Sequence, residues 1–350
     1  MRTFNIGISA RLYRSDGSTV IPEFDVSPLA DNAAVKLEVL PDVDAGDLLH
    51  EKVKHLDAAI LFLERISPIT FGPDSRLTVL ARYGVGYDTV DIEACNAANV
   101  AVAIAPSGVR RPVATTVIAL LLALTLNLPA KDRITREGAE GWQRKTNYNG
   151  LGLVGRTLGG VGIGNIGAEV FRLIQPFDMK LIAHDPWCDP ATARTLGVEL
   201  VALDDVFTRS DIVTVNCPLN EQTHHLVNAE RLALMKPEAY LINTARGPIV
   251  DEEALIDALQ NNRIRGAGLD VFEEEPPAAD NPLLTMDNVI LAPHALCFTD
   301  QCLAGLGKAD TDACLAVMQG ELPETLVNAQ IAESPEFKAK LDTYRATFSS

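Results

Sequence analysis

Three short segments carry side chains that could hold a charge or move a proton: Asn243-Thr-Ala-Arg246-Gly247, Asp270-Val-Phe-Glu-Glu-Glu275-Pro276 and Ala292-Pro-His294. Each follows or closes a short apolar run. A guanidinium presents a planar fork that matches a carboxylate. An imidazole trades a proton with a hydroxyl or carbonyl oxygen near neutral pH. A carboxylate beside that imidazole raises its pKa and keeps it protonated. Together, Arg246, Glu275 and His294 would suit a small organic acid that needs both an anchor and a proton.

A fourth segment is suited to phosphate. Gly162-Ile-Gly164-Asn-Ile-Gly167 follows a strand-like run and opens a helical one. Gly162 permits the tight turn, Gly164 lets a pyrophosphate approach the backbone, and Gly167 lets helix and strand pack closely. The N–H groups of Asn165 and Ile166, at the helix start, are expected to face the phosphates. Asp185 closes the next strand, 18 residues after Gly167, where it would accept hydrogen bonds from a ribose. Its charge would repel a 2′-phosphate, and no Arg stands at 184–187, so NAD is expected rather than NADP. Gly160 is out of pattern, because a β-branched residue would pack better inside a strand.

These segments need a scaffold that brings them together. Strands are predicted over 158–164, 180–185, 211–218, 239–245, 266–272 and 288–293, with amphipathic stretches between them. In one such stretch Ala254, Leu255, Ala258 and Leu259 fall at helical spacing. This alternation predicts a parallel sheet with helices on both faces, and such sheets bind ligands beyond the C-terminal ends of their strands. A weaker version of the pattern, with strands over 4–10, 58–63, 77–82 and 100–106, predicts a second, smaller α/β domain. The polar stretch 334–350 reads as a terminal helix or a loose tail.

A chain of 350 residues fits two domains. With 47% hydrophobic and 22% charged residues, wholesale disorder is excluded. A net charge of −17 argues against nucleic acid or an anionic membrane surface as partner. An anionic substrate would then need a locally positive pocket. The apolar run Val113–Leu128 is 16 residues, bounded by Pro112 and Pro129. A bilayer span needs about 20, so a buried or subunit-interface helix is expected. Cys95, Cys188, Cys217, Cys297, Cys302 and Cys314 are scattered without a CxxC pair, which suggests reduced thiols and a cytoplasmic protein. The N-terminus lacks the apolar core of a signal peptide.

From about Leu77 to Ile331 the sequence resembles the D-isomer-specific 2-hydroxyacid dehydrogenases, which include D-3-phosphoglycerate dehydrogenase and glyoxylate/hydroxypyruvate reductase. The resemblance rests on ARYGVGYDTVD, the glycine fingerprint, NCPLNEQT, LINTARGPIVDEEAL, GAGLDVFEEEPP, NVILAPH and ETLVNAQ. It implies two Rossmann-like, doubly wound parallel-sheet domains, with an NAD-binding domain (106–296) inserted into a discontinuous substrate domain (1–105 and 297–350). It also implies NAD-dependent interconversion of a D-2-hydroxy acid and its 2-keto acid, with Arg246, Glu275 and His294 as the catalytic trio. Glu275 is selected from the three glutamates because it lies five residues after Asp270 and just before Pro276. The resemblance further implies that backbone at Val85 and Gly86 holds the substrate carboxylate. Cys217, Pro218, Thr244, Ala245 and Asp270 would contact the cofactor, and the 113–128 helix would contribute to a homodimer interface.

Two departures from the family bear on the substrate. Thr115 stands where many members have Glu, in a segment that adds Arg110 and Arg111. After His294 the chain reads Ala-Leu-Cys-Phe-Thr299 rather than a Gly/Ser-rich run. Arg110 or Arg111 would greet a second anionic group, or serve as a surface or interface arginine; the substrate itself is left open. Two rival readings share the scaffold. One is a formate- or phosphite-type dehydrogenase, against which Glu275 argues, since formate enzymes keep Gln there. The other is an NAD-sensing binding protein like the C-terminal-binding corepressors. His224-His225 suggests metal, but the sequence offers no partner cluster, so no metal is expected. Cys297 is expected to pack a wall of the site. The 19 residues after Ile331 are too few for a regulatory domain.

Overall fold

A computed structural model describes residues 2–43 and 46–348. It divides into two compact units, one of Met1–Val109 with Phe298–Ser350 and the other of Arg110–Cys297. Each is built on one parallel sheet.

The smaller sheet contains β1 (Phe4–Ile8), β2 (Val35–Val39), β3 (Ala58–Leu61), β4 (Val79–Arg82) and β5 (Ala101–Ile104), in the order β2-β1-β3-β4-β5. The fully buried β3, Ala-Ala-Ile-Leu, needs apolar residues on both faces. β2 reads Val-Lys-Leu-Glu-Val and is only half-buried, as an edge strand allows, so it carries no continuous apolar run to mark it in the sequence. The helices Asp300–Met318 and Pro335–Phe348 return to this unit. Phe337, Leu341 and Tyr344 are buried, and the Tyr344 ring meets Phe4 edge-on at 5.2 Å. Of the two readings of the C-terminal stretch, the packed helix is the one observed.

The larger sheet contains β6 (Thr157–Val161), β7 (Lys180–His184), β8 (Glu199–Leu200), β9 (Ile212–Val215), β10 (Tyr240–Asn243), β11 (Gly266–Leu269) and β12 (Val289–Leu291). Their order is β12-β11-β10-β9-β6-β7-β8, all parallel. The direction of winding reverses between β6 and β9, the topological switch point where doubly wound sheets bind their ligands. Apolar clusters cover the sheet; one is centred on Val213, Leu241 and Leu255, another on Leu121, Phe171 and Ile212. Gly160 is explained by this packing: a Cβ there would stand 2.6 Å from the Phe171 ring. The glycine is what lets the helix Asn165–Ile174 lie close to β6.

One element departs from expectation. The apolar helix runs Pro106–Thr125, with Pro112 in its interior, and a separate helix starts at Leu128. Pro112 removes one helical hydrogen bond, to the Gly108 carbonyl, which costs about 3 kcal/mol in a free helix. The buried stripe Val109, Ala114, Val117, Leu121 and Leu124 continues on both sides of it and offsets that cost. By length and composition this helix could cross a membrane, but 56% of its apolar window is buried within the protein. Leu120 and Leu124 lie against Gly268 on β11, where a Cβ would meet each at 3.2 Å.

Candidate active site

The dinucleotide cradle lies where β6 and β9 end. Gly162 has φ +97°, a backbone conformation that disfavours any side chain. A Cβ on it would stand 3.0 Å from the Cys217 amide, so this turn presses on the loop after β9. Gly167 sits so close to the Gly162 carbonyl that no side chain fits there. Gly164, the N-cap of the helix starting at Asn165, has open space where its Cβ would be, as a phosphate approaching the backbone requires. Asp185 closes the turn: its Oδ2 accepts from the Ile163 N–H at 2.7 Å and its Oδ1 from the Trp187 N–H at 2.9 Å. A carboxylate has about four acceptor sites, so capacity remains for ribose hydroxyls. These residues fit a dinucleotide. Pro218 follows the half-buried Cys217, whose thiol burial pushes up to about 11. Thr244 and Ala245 extend beyond β10 and are half-buried.

The three reactive segments follow β10, β11 and β12, which are adjacent in the sheet. Asn243 anchors the first turn, donating to the Arg246 carbonyl at 2.9 Å and accepting from the Ala245 N–H at 3.1 Å. Arg246 Nη1 donates to the Ala245 carbonyl at 2.7 Å. Of the three consecutive glutamates it is Glu275 that reaches the imidazole: its Oε2 lies 2.8 Å from His294 Nδ1, and its Oε1 accepts from the Phe272 N–H at 3.0 Å. Burial works against charge on Glu275, yet His294, the Phe272 N–H and the Arg246 guanidinium outweigh it and hold its carboxyl below the usual range.

His294 has φ +53°, in the left-handed region that residues other than glycine seldom occupy. The buried Asp270 stabilises the turn that contains it. Its Oδ1 accepts from the N–H groups of Ala295 at 3.1 Å and Leu296 at 3.2 Å. Burial pushes the Asp270 carboxyl up, against the pull of those two amides. The residue picked from sequence as a cofactor contact therefore also shapes the loop that presents the imidazole. Val85 and Gly86 lie in the smaller unit, half-buried just after β4.

Other candidates take different places. Arg110 and Arg111 converge, with Arg172, on Glu169, which is 1% exposed. Arg111 approaches it at 2.6 Å and Arg110 at 4.0 Å. The Arg111 guanidinium is therefore engaged by an acid 58 residues away, a pairing that residue type and local spacing do not reveal. Thr115 is exposed on the helix and donates to the Arg111 carbonyl at 2.8 Å. Cys297 is half-buried. The absence of a partner for His224-His225 is corrected: Glu273, 48 residues away, places its Oε1 2.7 Å from His225 Nε2.

The doubly wound sheet and its glycine cradle, with a hydrogen-bonded Glu275–His294 pair following strands of the same sheet, are the form of a dinucleotide-dependent dehydrogenase. Residues 118–295 match the NAD-binding domain of the D-isomer-specific 2-hydroxyacid dehydrogenases. The chain is 37% identical over 310 residues to the D-3-phosphoglycerate dehydrogenase of Methanocaldococcus jannaschii, covering 86% of this chain but only 58% of that relative. It is 36% identical over 318 residues to the glyoxylate reductase of Thermococcus onnurineus, covering 89% of this chain and 94% of that one. Among solved structures it resembles a D-lactate dehydrogenase from Aquifex aeolicus complexed with NAD and lactic acid. There the TM-score is 0.78 at 27% identity, over 93% of this chain and 99% of that one. The chain belongs to the D-isomer-specific 2-hydroxyacid dehydrogenase family and is an NAD-dependent oxidoreductase. These likenesses favour neither rival reading.

Proposed function

We propose that the chain reduces a short 2-keto acid with a single carboxylate, of the glyoxylate class, to the corresponding 2-hydroxy acid. The observation that carries the reading is the 2.8 Å contact between His294 Nδ1 and Glu275 Oε2. With Nδ1 engaged by the carboxylate, Nε2 is the nitrogen that serves as the proton donor. The cofactor, when bound, supplies the hydride to C2. Arg246 holds the carboxylate and polarises the carbonyl, and protonated His294 gives its proton to the carbonyl oxygen. Ionised Glu275 stabilises the imidazolium before the transfer and fixes the ring afterwards. Asp270, Cys217, Pro218, Thr244 and Ala245 line the cofactor's path.

Two further observations support the substrate class. The glyoxylate reductase relative is matched along nearly its whole length. Arg111 is also paired with Glu169 at 2.6 Å rather than held ready for a second anionic group. Asp185 supports NAD over NADP. The scattered cysteines, without a CxxC pair, support a reducing, cytoplasmic setting. Exposed Leu126, Leu128, Trp142 and Val154, all in the Arg110–Cys297 unit, support a homodimer.

The test is His294→Ala. NADH oxidation with glyoxylate should lose about 10²–10⁴ in kcat while the NADH affinity stays near wild type. A kcat near wild type would remove His294 from the reaction.

A further inference from the structure

Outside this site, one group of side chains among the described residues has the composition and spacing of a metal centre. We infer that His224, His225 and Glu273 form a surface site for a divalent transition-metal ion, with Zn²⁺ as the best fit. One ligand atom from each of the three lies within 4.8 Å of the others. The imidazoles of His224 and His225 stack with centroids 4.0 Å apart and planes 28° from parallel, and Glu273 Oε1 stands 2.7 Å from His225 Nε2.

The fit to zinc follows from bond lengths. Zn–N and Zn–O bonds of about 2.1 Å in a tetrahedron put ligand atoms about 3.4 Å apart. No pair therefore has to close by more than about 1.4 Å, and the His225–Glu273 pair must open by about 0.7 Å. Side-chain rotation covers such distances without moving backbone. The backbone is already fixed: His225 has φ +49° and its N–H donates to the Pro248 carbonyl at 2.8 Å. Glu273 is held by a reciprocal pair, its N–H donating to Glu252 Oε2 at 3.0 Å and its Oε2 accepting from the Glu252 N–H at 3.2 Å. That leaves Oε1 for the ion and gives the ligating carboxylate the outer support that metal sites use. Glu252 adds a second negative charge beside the site.

Two imidazoles and one carboxylate favour Zn²⁺, Ni²⁺ or Cu²⁺ over Mg²⁺ and Ca²⁺, which take oxygen ligands. Three protein ligands leave a coordination position to water, so the ion would exchange. The site is independent of the catalytic assignment, although Glu273 shares the 272–275 turn with Glu275.

The test uses the full chain, stripped with chelator and titrated with Zn²⁺ by calorimetry, and with Co²⁺ by optical absorption. One equivalent should bind tightly enough to raise Tm, with a tetrahedral Co²⁺ spectrum that lacks thiolate charge transfer, and millimolar Mg²⁺ should not compete. His224→Ala and Glu273→Gln should each weaken Zn²⁺ binding at least tenfold while their metal-free Tm stays at the wild-type value. Wild-type affinity in both variants, or a thiolate band showing that cysteines take the ion, would overturn the proposal. So would the lack of a stoichiometric binding event.

Discussion

Gly247 joins the arginine turn to the glutamate turn, and replacing it with Ala tests whether their separation matters. A Cβ on Gly247 would overlap the Phe272 carbonyl and stand 2.5 Å from the Glu273 nitrogen, where ordinary van der Waals contact begins at 3.4 Å. The obstructing atoms are backbone, so the 272–275 segment must retreat by more than about 0.9 Å, the shift that the Glu273 nitrogen alone requires, because the Phe272 carbonyl is closer still. Glu275 moves with it, and its 2.8 Å bond to His294 is pulled out of register with the Arg246 side. A displacement near 1 Å costs about 10²-fold in rate, so kcat for keto-acid reduction should fall by about two orders of magnitude. Overpacking of this kind also destabilises by about 1–3 kcal/mol, which lowers Tm by roughly 2–12 °C in a unit of this size. Stopped-flow NADH oxidation, a thermal melt and an NADH fluorescence titration give the three quantities. If Gly247→Ala folds, binds NADH and keeps kcat within about threefold of wild type, the distance between the two turns does not align the trio.

Asp185→Ala should raise kcat/KM with NADPH relative to NADH, because it removes the charge facing a 2′-phosphate; an unchanged ratio would place cofactor choice elsewhere. Across glyoxylate, hydroxypyruvate, pyruvate, oxaloacetate and phosphorylated keto acids, the highest kcat/KM should fall on a short acid with one carboxylate, and a preference for the phosphorylated forms would refute that class. Burial tends to raise the Asp211 carboxyl, but the Thr157 N–H, Lys236 and Arg156 hold it below the usual range. A depressed folded-state pKa contributes stability above the ordinary carboxylate range and loses it as pH falls through and below that range. Asp211→Asn should therefore cost about 1.5–3 kcal/mol near neutral pH and flatten the acid side of the Tm–pH curve; parallel curves for both proteins would show that Asp211 does not contribute.

The cofactor unit was largely legible because its strands are buried on both faces and read as apolar runs separated by amphipathic helices. Gly162, Gly167 and Asp185 were readable since their spacing along one βαβ unit sets their geometry. Legibility failed where polar groups or tight packing decided the outcome. β2 alternates Lys and Glu with apolar residues on a sheet edge, and β8 is two residues long. Pro112 suggested a helix boundary, yet the buried stripe on either side carries the helix through it. The Glu169 pairing with Arg110 and Arg111, the Glu273 pairing with His225, and the support Asp270 gives the turn after His294 are all long-range. Each depends on which elements become neighbours, and residue type alone does not reveal that.

The division of the chain into units has a consequence for its biosynthesis. The smaller unit is assembled from Met1–Val109 and Phe298–Ser350, and residues from the two pieces share one hydrogen-bond network: the Val327 N–H donates to the Val102 carbonyl at 2.8 Å, and Asn328 Oδ1 accepts from the Val102 N–H at 2.9 Å. A ribosome adds about 5–20 residues per second, so the first piece waits roughly 10–40 s while the 188 residues of Arg110–Cys297 are made. Throughout that interval β4 and β5 lack the helix Asp300–Met318, whereas the contiguous larger unit has all its strands in hand. The inserted unit is thus placed to fold first and to shorten the gap that the outer unit must close.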